Sequence, residues 1–134
     1  MTISSGTKLG ARRAPAGRAP GKERVNKDSY QDMLATVQSF HDKHRFRETG
    51  GEELAYRVAL MTEELGEISA CVTKGKSKEH LAEECADLFI LLLGTAIAAD
   101  FDLRQAFWDK MKKVESRESR MINGRIRVSE FRDT

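Results

Sequence analysis

Residues 60–71 read LMTEELGEISAC, and residues 81–98 read LAEECADLFILLLGTAIA. On a helix turning about 100° per residue, Glu64 and Glu67 fall on the same arc as Leu60, Met61, Ile68 and Cys71. These acids occupy the apolar stripe instead of the face opposite it. Glu84 and Asp87 repeat the arrangement, sharing their arc with Leu81, Leu88, Leu91, Thr95 and Ala98. Two helices therefore each carry a pair of acids, three residues apart, toward a common core.

Unpaired buried carboxylates are costly, so such a pattern persists only where positive charge meets it. Neither helix supplies that charge locally. No Lys or Arg occurs between Arg57 and Lys74, and none between Lys78 and Arg104, which removes ion pairs one helical turn away. Two solutions remain: a divalent ion, or Lys and Arg side chains arriving from a fourth helix or another chain. An all-oxygen donor set suits Mg²⁺ or Mn²⁺ better than zinc. His41, His44 and His80 form no cluster with the acids, and no Glu is followed three residues later by His, so the Glu-x-x-His pattern of di-iron bundles is missing.

Outward from these two segments, apolar residues recur at three- and four-residue intervals in two more. The first helix is expected from about Ser29, a possible N-cap, to Phe46, with Tyr30, Met33, Val37 and Phe40 on one side; Gly50 and Gly51 break it. The second spans about Glu52 to Lys74 and stops at Gly75, and the third opens at Ser77 and reaches about Asp100. The fourth is expected from Asp102 to about Ile122, closed by Asn123 and Gly124, with Arg125 to Phe131 as a docked or loose tail. On that fourth helix Lys110 and Arg117 share an arc with Leu103, Phe107, Met111, Val114 and Met121. Cations on an apolar stripe either hold phosphate oxygens or snorkel to solvent. The expected fold is all-α, a four-helix, antiparallel, bundle-like single domain over residues 28–134.

Composition narrows the class further. At 134 residues with 40% hydrophobic content, the chain is sized for one core. Two cysteines, Cys71 and Cys85, both within helical patterns, do not build a disulfide framework and fit a reducing, cytoplasmic setting. Both read as small core residues. The longest apolar stretch, Leu88 to Ala99, is too short to span a bilayer. The net charge of +2 conceals an asymmetry, because residues 1–27 carry seven Lys/Arg against the single acid Glu23. That leader holds both prolines and no apolar periodicity, and is expected to be a disordered, solvated basic tail. Arg-rich, acid-poor leaders also serve as transit peptides or nucleic-acid-binding arms, but nucleic acid is not the expected partner here.

The run Glu63-Glu64-Leu65-Gly66-Glu67, followed by Glu84-Cys85-Ala86-Asp87, resembles the E-E-x-x-E and E-x-x-D motifs of the MazG-like all-α NTP pyrophosphatase superfamily. That group includes dimeric dUTPases, dCTP pyrophosphatases and phosphoribosyl-ATP pyrophosphohydrolase. The likeness covers roughly Tyr30 to Arg117 and extends to Phe101-Asp102-Leu103 and to Lys110 through Arg117, which look like the family's closing K…N-x-x-R stretch. Val114 stands where many relatives carry Asn. The resemblance implies Mg²⁺ or a substituting Mn²⁺ held by Glu64, Glu67, Glu84 and Asp87, with Lys110 and Arg117, and Lys113 beside them, on the phosphate side. Glu63 and Glu83 lie about 100° off the ligand arc, either orienting water as catalytic groups or standing as surface acids. The implied activity is cleavage of a nucleoside triphosphate to a monophosphate and pyrophosphate, in a homodimer or homotetramer. Alternatives are a phosphoribosyl-ATP pyrophosphohydrolase-like reaction and a non-catalytic helical module that keeps the fold.

Overall fold

A computed structural model of the protein describes residues 28–132; the basic leader 1–27, expected to be a solvated tail, and residues 133–134 lie outside them. Five helices and one hairpin follow in order: α1 (Tyr30–Lys43), α2 (Phe46–Thr49), α3 (Leu54–Thr73), α4 (Lys78–Ala99), α5 (Leu103–Glu115), β1 (Glu118–Ile122) and β2 (Arg125–Ser129). The all-α reading holds, with the hairpin the only strand structure among the described residues.

Helix boundaries follow from side-chain caps. Ser29 Oγ accepts the Asp32 backbone N–H at 3.1 Å, and Asp102 Oδ1 accepts that of Gln105 at 2.9 Å. α3 closes on Gly75 at φ 62°, and the Lys76 N–H returns to Cys71 O at 2.9 Å, satisfying a terminal carbonyl. Ser77 Oγ then accepts the His80 N–H at 3.2 Å and opens α4. Ser77→Ala is expected to cost about 1 kcal/mol in urea unfolding, and an unchanged midpoint would show that this cap is not what starts α4.

Two boundaries differ from the sequence reading. The first helix does not run on to Phe46: Arg45 adopts φ 52°, and the chain restarts as the short α2, offset from α1. The fourth helix ends at Glu115, not near Ile122. Glu118 pairs with Ser129 and Ile122 with Arg125 in an antiparallel ladder, with Asn123 at φ 49° and Gly124 at φ 80° in the turn. Asn-Gly with both residues at positive φ is the two-residue turn that matches strand twist. Helical periodicity through Met121 masked it.

The four-residue link from α3 to α4 makes them an antiparallel pair, and this is the principal packing of the molecule, with α1 laid across α4 and α2 against α1. Val37, Cys71, Leu93 and Ala96 form the buried apolar core. Leu93 of the apolar run on α4 is inside, while its neighbours Phe89, Ile90 and Leu92 stay exposed. Cys85 also departs from expectation, since it is exposed, and only Cys71 is buried. Large apolar side chains remain open on α3 (Leu54, Tyr56, Val58, Leu65, Val72) and on α5 (Phe107, Trp108). Among the described residues no helix is long and apolar enough to cross a membrane.

Candidate active site

Glu64 sits mid-way along α3, and Glu84 and Asp87 lie in the second and third turns of α4. Antiparallel packing brings them face to face. One carboxylate oxygen from each of Glu64, Glu84 and Asp87 lies within 4.8 Å of the other two, with Glu64 and Glu84 half-buried and Asp87 exposed. The Glu64 carboxyl is held above its ordinary range: burial acts first, then the charge of Asp87, then that of Glu84, whose side chain also hydrogen-bonds it, and last Glu67. Every charged neighbour acting on this group is an acid.

The expected ligand set is thus partly gathered. Glu67 is exposed, one turn on from Glu64 and outside the tight trio, though its charge still bears on Glu64. Glu63 and Glu83 are both exposed beside the cluster. The three cations expected on the phosphate side divide between two recesses, neither lined by any of the four acids. Lys110 borders an apolar groove of about 730 Å³ between Tyr30, Phe89 and Leu92 on one side and Phe107 and Trp108 on the other. Lys113 and Arg117 border a smaller hollow at the root of the hairpin with Ser116, Glu130 and Phe131. Arg117 lies beyond α5, not on it, and its Nη2 is 3.5 Å from Glu130 Oε1.

Sequence reasoning missed a second polar centre on the same helix pair. Arg57 is 2% exposed, the one buried Lys or Arg among the described residues. Its Nε donates to Thr95 Oγ1 at 3.0 Å, Nη1 to Gly51 O at 3.0 Å, and Nη2 to Leu91 O at 2.9 Å. Burial lowers its pKa while the charge of Glu52 raises it. His41, 3% exposed, shares a hydrogen bond of 2.8 Å between Nδ1 and Glu52 Oε2. The available signal was positional: Arg57 is seven residues before Glu64, on the same stripe.

Chemically, the trio is a set of hard oxygen donors with no Lys or Arg among the charges acting on Glu64. Such a set fits a divalent cation of the Mg²⁺ type. It suits zinc less well, for among the described residues no His or Cys joins it.

Two antiparallel helices lending acids to one cluster define the class: an all-α domain with a carboxylate cluster in the seam of a helical hairpin. Residues 53–122 match the family model described as the MazG nucleotide pyrophosphohydrolase domain. That match spans just over half of the chain, and the chain belongs to this family. Comparison with curated proteins and with solved structures gave no match.

Proposed function

We propose that the protein is a Mg²⁺-dependent nucleoside triphosphate pyrophosphohydrolase, cleaving NTP or dNTP to the monophosphate and pyrophosphate, with Mn²⁺ as a substitute ion. The observation that carries this reading is the convergence of Glu64, Glu84 and Asp87 within 4.8 Å in a domain of the nucleotide pyrophosphohydrolase family. A bound divalent ion supplies positive charge against phosphate oxygens and lowers the pKa of water. Glu64, Glu84 and Asp87 hold that ion, and Glu67, one turn along α3, completes the donor set. Glu63 and Glu83, exposed at the rim, are the groups that orient the attacking water and accept its proton as it adds to the α-phosphorus. The pyrophosphate leaves with its charge met by Lys110, Lys113 and Arg117. No nucleophilic side chain is required.

Those three basic residues border recesses away from the acids, so closing a site around a triphosphate needs a further surface. The exposed apolar faces of α3, α4 and α5 support a homodimer or homotetramer, with residues 28–134 as one domain in a cytoplasmic setting. The test is a panel of common NTPs and dNTPs with Mg²⁺, measuring pyrophosphate and phosphate separately. Pyrophosphate release by the wild type, abolished by EDTA and by Glu84→Gln, is the expected result. If wild type cleaves neither nucleoside triphosphates nor phosphoribosyl-ATP, or Glu84→Gln matches it, the enzymatic reading fails; turnover of phosphoribosyl-ATP alone would redirect it.

A further inference from the structure

The α3–α4 seam carries two polar levels. Seven residues separate Arg57 from Glu64, about 10 Å along α3 and nearly the same azimuth after two turns. On α4, the Arg57 acceptors Leu91 and Thr95 stand one and two turns beyond Asp87. Clasp and acids are therefore neighbouring floors of one interface.

A buried guanidinium is an expensive core residue, and a well-packed apolar side chain usually replaces a buried charge without loss. What the apolar side chain lacks is reach. From α3, Arg57 engages two other segments at once: the loop before α3 through Gly51 O, and α4 through both Leu91 O and Thr95 Oγ1. The planar fork with fixed donor directions suits this, and an ammonium does not. Space is reserved for it as well, because a Cβ on Gly94 would lie 2.3 Å from Arg57 Nη2 and 2.6 Å from His41 Nε2. Arg57 is not a counter-charge of Glu64, since the charges that shift that carboxyl are all acids.

We infer that Arg57 is the positioning residue of the acidic centre, fixing the axial and rotational register of α3 on α4 that sets Glu64 against Glu84 and Asp87. A slip of α3 by one residue moves Glu64 by about 1.5 Å and turns it by about 100°, enough to disperse the trio. The inference rests on reading that trio as a divalent-cation site.

Mn²⁺ binding to the full chain, followed by the loss of its free-ion paramagnetic resonance signal, tests it alongside thermal unfolding. Wild type, Arg57→Lys, Thr95→Val and Glu84→Gln are compared. Arg57→Lys should weaken Mn²⁺ binding by about tenfold, as loss of groups that orient metal ligands does. Thr95→Val, which deletes one acceptor at constant shape, should weaken it less. In turnover, the metal concentration for half-maximal rate rises while the rate at saturating metal is largely kept, a split that mere loss of folded protein does not produce. If both variants melt earlier yet bind Mn²⁺ like wild type, Arg57 is only a structural tie and the inference falls. Should Arg57→Lys not fold, Thr95→Val decides alone, and wild-type binding there overturns the idea. Failure of wild type itself to bind Mn²⁺ would remove the cation reading and this inference with it, whereas the outcomes above leave that reading intact.

Discussion

Glu64→Gln should lower pyrophosphate release by about a thousandfold and, in the same preparation without metal, raise the thermal midpoint at neutral pH. The two effects share one cause. Glu64 faces Glu84 and Asp87 within 4.8 Å, and its carboxyl is raised by burial and by those charges. A raised carboxyl favours the folded state below its unfolded pKa, and this contribution is lost as pH climbs through the folded value, leaving repulsion at neutrality. The neutral amide removes the repulsion and also a proposed cation ligand. The midpoint advantage of the variant should therefore vanish below the carboxylate range, where wild type is protonated too. Addition of Mg²⁺ should raise the wild-type midpoint and leave that of the variant nearly still. A variant that melts lower than wild type at neutral pH without metal, yet gains as much from Mg²⁺, contradicts the proposed cluster.

Gly94→Ala should destabilise the fold by about 3 kcal/mol, the upper end of the usual cost of overpacking. The added methyl would sit 2.3 Å from Arg57 Nη2 and 2.6 Å from His41 Nε2. Neither neighbour has room to yield, for both are almost wholly buried and tied, one by three hydrogen bonds and the other to Glu52. Equilibrium urea unfolding measures the loss; a variant as stable as wild type would mean that the Arg57 clasp does not lie against Gly94.

The acidic centre was readable in the sequence because its helices are long, and acids on an apolar stripe stand out against the periodicity around them. The caps at Ser29 and Ser77 and the stop at Gly75 were readable for the same reason: each is a local hydrogen-bonding choice made by the residue itself. The Arg57 clasp was not, because its acceptors at Leu91 and Thr95 are more than thirty residues away in sequence, and carbonyl acceptors leave no trace in residue identity. At Arg45 the chain turns left-handed without a glycine, so nothing in the spacing announced the end of α1. The hairpin shows a different failure. Asn123-Gly124 was visible, but Met121 and Val114 continued the helical stripe of α5, and the longer pattern prevailed over the shorter turn signal. Arg117 accordingly lies past the end of α5, not on its stripe.

Cys85 lies exposed between Glu84 and Ala86, whereas Cys71 is buried and both thiols are free. A thiol-reactive dye applied to the native, unmutated chain would settle at one point only, next door to a proposed cation ligand. Its emission then becomes a direct optical gauge of occupancy, separable from turnover and readable in a single cuvette.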